Sequence, residues 1–199
     1  MKVFLILAHP RPGSFNHAIA AIVMQAVKKN GHTVDFHDLY AERFNPVLPY
    51  DEIPRDAPLD PIIAQHCREI AEADGIVVVH PNWWGQPPAI LKGWIDRVLR
   101  PGVAYRFLEG DMGEGIPAGL LKARAVLIFN TANTPMKREQ AVFGDPLERL
   151  WRDCIFSFCG VPVFHRRMFS VVVTSTETER GAWLLEADTI TRRYFPLGP

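Results

Sequence analysis

Cysteine is scarce in this chain, and the little present forms no pattern. Cys67, Cys154 and Cys159 make neither an even set for a disulfide framework nor a CxxC pair, which points to a reducing compartment and away from a structural zinc site. Net charge is lacking too. The 22 lysines and arginines cancel the 22 aspartates and glutamates, so the long-range positive field that nucleic acid or anionic lipid requires is missing. No run is apolar enough to span a membrane. The longest charge-free stretch, Gly75 to Leu91, is interrupted by Pro81, Asn82, Gln86, Pro87 and Pro88, against roughly 20 apolar residues for a spanning helix. The opening run Val3 to Ala8 is followed at once by His9-Pro10-Arg11-Pro12, too early for a secretory leader with its apolar core of about 7–15 residues. These absences predict a soluble, cytoplasmic protein with no nucleic-acid partner and no integral membrane segment. A length of 199 residues suits one domain over 1–199.

Proline is in excess, 17 of 199 residues, when ordinary usage is about 5%. Those prolines punctuate a regular alternation. Apolar runs at 3–8, 76–79, 125–129 and 169–173, with a weaker one at 33–36, do not alternate with polar residues and read as strands buried on both faces. Helical stripes lie between and after them, through Ile19–Val27, Ile63–Ala71, Leu91–Val98, Leu147–Phe158 and Trp183–Tyr194. The pattern predicts an α/β protein: a flavodoxin-like, doubly wound, five-stranded parallel sheet of order 2-1-3-4-5 with helices on both faces. Asp60-Pro61 and Asp145-Pro146 each place an N-cap aspartate before a proline at the first helical position, and Pro88 starts a third helix. Two long loops, 37–59 and 101–123, stand outside the alternation, and loops of that length are usually functional or disordered.

In such sheets ligands bind beyond the carboxyl ends of the strands, at the switch point between strands 1 and 3. After strand 1 comes His9-Pro10-Arg11-Pro12-Gly13-Ser14-Phe15-Asn16-His17, opening a helix whose N-terminal N–H groups suit a phosphate. Ser14 and Asn16 either contact that ligand or cap the helix. After strand 3, Pro81-Asn82-Trp83-Trp84 offers stiff, flat apolar surface. After strand 4 comes the polar Asn130-Thr131-Ala132-Asn133. Neither GxGxxG nor a Walker A sequence occurs, and the three loops together suit a flat, phosphorylated cofactor such as a flavin.

Residues 4–17, Asp38 to Ala41, Phe44-Asn45-Pro46, Pro88 to Val98 and Phe158-Cys159-Gly160 resemble the NAD(P)H:quinone oxidoreductase family of flavodoxin-like flavoproteins across essentially the whole chain. The resemblance implies a homodimeric two-electron reductase that uses a non-covalent flavin, NADH or NADPH as donor, and a quinone or other aromatic acceptor in a ping-pong cycle. It implies that His9, Arg11, Ser14, Phe15 and Asn16 form the flavin phosphate loop. Pro81, Asn82, Trp83 and Trp84 match the isoalloxazine loop, and Asn130, Thr131, Ala132 and Asn133 the third flavin loop. Tyr105 and Phe107 match aromatics that close the substrate pocket from the partner subunit. FAD is the expected cofactor, since the 37–59 loop could help house an adenosine half, and FMN is the alternative.

One departure bears on the chemistry. The animal quinone reductases carry a tyrosine and a histidine after strand 4 to stabilise charge on the reduced flavin, and Lys137 and Phe143 stand at those positions here. A cation can do the same work. Lys137 is therefore the candidate catalytic residue, with Phe143 placed in the substrate pocket. His32, His37, His66 and His165 are scattered in sequence without ligand spacing and predict no metal site. Cys154 lies on an apolar stripe and reads as packing. Alternatives of other kinds are a flavin-binding ancillary subunit of an ion-efflux system and an NAD(P)H-dependent flavin or azo reductase.

Overall fold

The computed structural model of the protein describes residues 1–110 and 115–198. Part of the 101–123 loop therefore lies outside the described residues, as does the last position of the expected 1–199 span. Five parallel strands form the main sheet: β1 (Lys2–Leu7), β2 (Thr33–Asp38), β3 (Gly75–Pro81), β6 (Ala125–Ala132) and β7 (Val163–Ser170), in the order β2-β1-β3-β6-β7. The 101–123 segment contributes a separate two-stranded ribbon, β4 (Tyr105–Arg106) with β5 (Ala118–Gly119). With that ribbon set aside, the order is the expected 2-1-3-4-5.

Side-chain direction alternates along a strand, and here the alternation divides two cores. Phe4, Ile6, Ile76, Val78, Val126 and Ile128 face one side. There α2 (Pro61–Glu72), α3 (Ala89–Val98) and α5 (Pro146–Arg149) with its π-helical continuation Leu150–Ser157 cover them. Val3, Leu5, Val77, Val79, Leu127 and Phe129 face the other, under α1 (Phe15–Lys29) and α6 (Glu177–Tyr194). The inner strands β3 and β6 are buried at every position, which is why they read as unbroken apolar runs; each such Val, Leu or Phe side chain removed from water contributes about 1.5–3 kcal/mol. No helix of the described residues is long and apolar enough to cross a membrane.

Four sequence expectations need correction. The last strand is Val163–Ser170, not 169–173: as an edge strand it carries Arg166 and Arg167, whose charges are met by Asp145, Glu148 and Glu186, so hydropathy alone misplaces it. Helix α4 (Met136–Phe143) was not anticipated, because its single buried residue, Glu139, leaves no apolar stripe. Asp145 does not cap its helix. Its φ is +50 and its side chain makes no capping bond, the carboxylate pairing with Arg166 at 2.8 Å instead; Asp60, by contrast, accepts from the Ile62 amide at 2.9 Å as expected. Cys154 is exposed. In the π-helical stretch partners lie five residues apart, so Trp151, Ile155 and Phe156 turn inward and Cys154 turns out.

The 39–60 excursion is fastened to the body. Glu52, 4% exposed, accepts from Arg97 Nε and Nη2 at 3.1 and 2.5 Å, while Arg100 Nη2 donates to the Glu52 and Pro54 carbonyls. Gly93 lets Pro46 press onto α3: a Cβ there would lie 2.1 Å from the Pro46 carbonyl oxygen.

Candidate functional site

At the carboxyl ends of β1, β3 and β6 a cleft of about 680 Å³ opens between the first and third loops. The residue Ser14 occupies the N-cap position of α1 but its hydroxyl does not cap; it lies 2.8 Å from His17 Nδ1, with His17 Nε2 3.2 Å from Asp38. Asp38 assigns the proton to Nε2, so Nδ1 accepts from the hydroxyl. The first amides of α1, at Phe15, Asn16 and His17, have no backbone partner, and Phe15 and Asn16 line the cleft, where a helix N-terminus suits an anion. Asn16 is buried; its Nδ2 donates to Thr131 Oγ1 at 2.9 Å while its Oδ1 is buried without a partner. Burial holds the His9 imidazole below its usual 6.5, and its Nδ1 accepts from the Arg11 amide at 3.1 Å. Two guanidinium groups, Arg11 and Arg180, line this cleft, and among the described residues no carboxylate does.

A second cleft, about 440 Å³, continues from the first and shares Asn82, Ala132, Asn133 and Thr134 with it. Its character is aromatic. Trp83 and Gln86 close a tight turn through paired backbone bonds of 3.1 and 3.0 Å. Asn82 Oδ1 accepts from the Gly85 amide at 3.0 Å. Inside this turn Trp84 has a φ of +58 and is fully exposed, a backbone state that non-glycine residues keep only where the surroundings enforce it. Phe143 and Arg138 from α4 form the facing wall. Glu139, 3% exposed, accepts from Asn82 Nδ2 at 2.9 Å and so ties α4 to the tryptophan turn.

Beneath the two clefts runs a buried polar chain. His80 is fully buried, and burial pushes its pKa down to about 3, leaving a neutral ring that donates from Nδ1 to the Pro81 carbonyl at 2.8 Å. Its Nε2 accepts from Asn130 Nδ2 and from Trp151 Nε1 at 2.7 and 2.9 Å. Asn130 Oδ1 in turn accepts from Arg166 Nε at 2.6 Å.

Of the expected site residues, His9, Arg11, Ser14, Phe15, Asn16, Pro81, Asn82, Trp83, Thr131, Ala132 and Asn133 line the first cleft, and Trp84 and Phe143 the second. Asn130 lies below, in the buried chain. Tyr105 packs on Phe158 with ring centroids 5.0 Å apart and, with Phe107, lines neither cleft. Lys137 is exposed and also outside both. Sequence reasoning missed Arg180, Arg138 and Glu139. Arg180 sits four residues into α6, where a cation opposes the helix dipole, and that misplacement was the one available signal.

The histidines are not all scattered. His37 and His66 lie with ring centroids 3.8 Å apart and planes tilted by 41°, beside Glu42, and all three present ligand atoms within 4.8 Å of one another. Hydrogen bonds link them: Trp94 Nε1 donates to His66 Nδ1 at 2.9 Å, so the His66 proton sits on Nε2. That nitrogen lies 3.3 Å from Glu42 Oε2, too far off line for a full hydrogen bond. His37 donates to Glu42 at 2.9 Å and to Glu69 at 2.6 Å. Burial opposes its charge, but the two carboxylates outweigh burial and raise its pKa above 6.5. Burial would raise Glu42, yet the two histidines bring it down to about 2 from 4.5. The raised histidine contributes stability that is whole below 6.5 and is lost as pH climbs through its folded value; the lowered glutamate contributes above 4.5 and loses it toward 2. The stability difference between the native sequence and His37→Gln, measured by urea unfolding, is therefore expected to be largest between 4.5 and 6.5 and to shrink above that window. A difference that stays flat upward from 6.5 would show that His37 carries no extra proton.

A family model described as "Flavodoxin-like fold" matches residues 1–186. Among curated proteins, an uncharacterised NAD(P)H oxidoreductase of Haemophilus influenzae is 33% identical over 194 residues, covering 92% of this chain and 91% of that one. A ribosyldihydronicotinamide dehydrogenase [quinone] of Mus musculus is 31% identical, covering 92% and 87%. Among solved structures, an NAD(P)H:quinone oxidoreductase from Methanothermobacter marburgensis superposes with a TM-score of 0.81 over 97% of this chain and 96% of its own, at 22% identity, which speaks for the fold.

Proposed function

Because the chain belongs to the flavodoxin-like family of NAD(P)H oxidoreductases, we propose that it is a flavin-dependent enzyme carrying two electrons from NADH or NADPH to quinones or related aromatic acceptors. The observation that carries this reading is the pair of contiguous clefts, one cationic and one aromatic, joined by four shared residues. A flavin has the matching two ends. Its phosphate suits the guanidinium groups of Arg11 and Arg180 and the open amides of α1. A ribityl hydroxyl supplies the donor that the orphaned Asn16 Oδ1 lacks, and the flat ring suits Trp83 and Trp84 beside Thr131, Ala132 and Asn133. When bound, flavin supplies the two-electron chemistry, taking hydride from the nicotinamide and giving it to the acceptor.

The residues of this chain bind and orient. Asn16 joins the first and third loops through Thr131, Glu139 holds the tryptophan turn through Asn82, and the neutral His80 supports Pro81 and Asn130 from below. None of residues 39–60 lines either cleft, so the clefts fit the part common to FMN and FAD, and the adenosine half gains no support from that segment. Tyr105 and Phe107 would close an acceptor pocket only from a second copy, which makes a homodimer part of the proposal. The test is direct: the purified protein should be yellow, release one flavin identifiable as FMN or FAD, bleach on adding NADH or NADPH, and recover its colour with a quinone. A colourless protein that takes up neither flavin overturns the reading.

A further inference from the structure

Lys137 and Phe143, the two positions singled out in the sequence for the charge on the reduced flavin, send no donor into the second cleft, since Lys137 lies outside it and Phe143 is apolar. The cation that lines the cleft is Arg138. Its backbone amide is spent on the first turn of α4, donating to the Pro135 carbonyl at 2.9 Å, while its guanidinium lies 5.9 Å from the centroid of the Phe143 ring. The neighbouring carboxylate does not take it, because Glu139 turns inward to Asn82. Among the described residues Arg97, Arg152, Arg166, Arg167 and Arg192 each pair with an acidic side chain; Arg138 has no such partner, and its donors are free to meet a ligand in the cleft. We propose that Arg138 stabilises the negative charge that reduction brings to the bound flavin, the role expected of Lys137.

This assignment rests on the flavin reading. Hydride transfer delivers two electrons and one proton, so one negative charge is left for the protein to meet, and a guanidinium meets it without giving up a proton because it stays charged at every working pH. Its planar fork can engage two acceptors along a ring edge through parallel N–H donors held in fixed geometry, whereas a lysine ammonium offers rotating donors around a point charge. Phe143 acts as the platform that holds the guanidinium by a cation–π contact.

The test compares holoprotein variants Arg138→Gln, Arg138→Lys and Lys137→Gln, using two readouts besides turnover. One is the two-electron midpoint potential of the bound flavin. The other is the affinity for sulfite, which adds to the oxidised ring and likewise leaves it negative. For Arg138→Gln a tenfold loss of preference for the reduced form is expected, equivalent to a potential about 30 mV lower, with sulfite bound about tenfold more weakly. Arg138→Lys should fall between the two, and Lys137→Gln should stay within about twofold of the native protein. An unchanged potential and sulfite affinity in Arg138→Gln, or the full shift in Lys137→Gln, overturns the assignment while leaving the flavin reading intact. If the native protein holds no flavin, both fall together.

Discussion

Replacing Glu52 with alanine is expected to lower folding stability by about 3–5 kcal/mol, or about 6–20 °C in Tm at roughly 2–4 °C per kcal/mol for a chain of this length. The reason is the company the carboxylate keeps. Glu52 and Arg97 are 4% and 5% exposed, and Arg100 lies close behind with its Nη1 3.8 Å from Glu52 Oε1. Removing the acid leaves two guanidinium groups with no compensating charge in a region that water does not reach, which costs more than the pair itself contributes. The double variant Glu52→Ala, Arg97→Ala should therefore be less damaged than the two single losses added together. Thermal unfolding followed by circular dichroism checks both statements. A loss below about 1 kcal/mol in the single variant, the range of an exposed ion pair, would mean that the 39–60 excursion is loosely attached. Since that excursion lines neither cleft, flavin content well below the transition should be unaffected.

The same excursion shows where sequence reasoning stops. Its length marks it as irregular, but nothing in Pro46, Glu52 or Arg97 taken singly says that they meet: the contacts span 45 to 52 positions and depend on Gly93 lacking a Cβ. The sheet is a different matter. β3 and β6 sit between neighbours and under helices on both faces, so their burial is written into consecutive residues, and their order follows from the alternation with helices. β7 is half-exposed, and its charged middle is acceptable only because partners arrive from α5 and α6. Among site residues, those on the first and second loops were legible because strand ends and turn residues mark them. Asn130, expected at the start of the third loop, is instead the sixth residue of β6, because the strand runs on to Ala132, and it points beneath the clefts, where His80 and Arg166 hold it. Arg138, one position from the expected Lys137, shows the limit of matching by register: adjacent residues on a helix project about 100° apart, so an offset of one decides which cation enters the cleft.

Arg180 is the residue whose loss should most reduce flavin binding. It stands in the first turns of α6, after the capping box of Thr176 and Glu179, where the helix dipole disfavours a cation unless an anion shares the site. Its Nη1 donates to the Ser175 carbonyl and hydroxyl at 2.5 and 3.1 Å, so the guanidinium is already oriented before any ligand arrives, whereas Arg11 is exposed with no side-chain partner among the described residues. A charge-assisted hydrogen bond contributes about 1.5–3 kcal/mol, which corresponds to roughly 10- to 150-fold in affinity. Arg180→Leu should weaken FMN binding within that range, Arg11→Leu by less, and the double variant by the product of the two. Riboflavin separates this from general damage to the cleft. It has the ring and the ribityl chain but no phosphate, so its affinity, measured by flavin fluorescence quenching, should be equal in the native protein and in Arg180→Leu. Equal losses for FMN and riboflavin would place Arg180 away from the phosphate and remove the cationic end from the proposed site. Raising the salt concentration should weaken FMN binding to the native protein and leave riboflavin binding nearly unchanged, because only the former depends on charges screened over about 8 Å at physiological ionic strength.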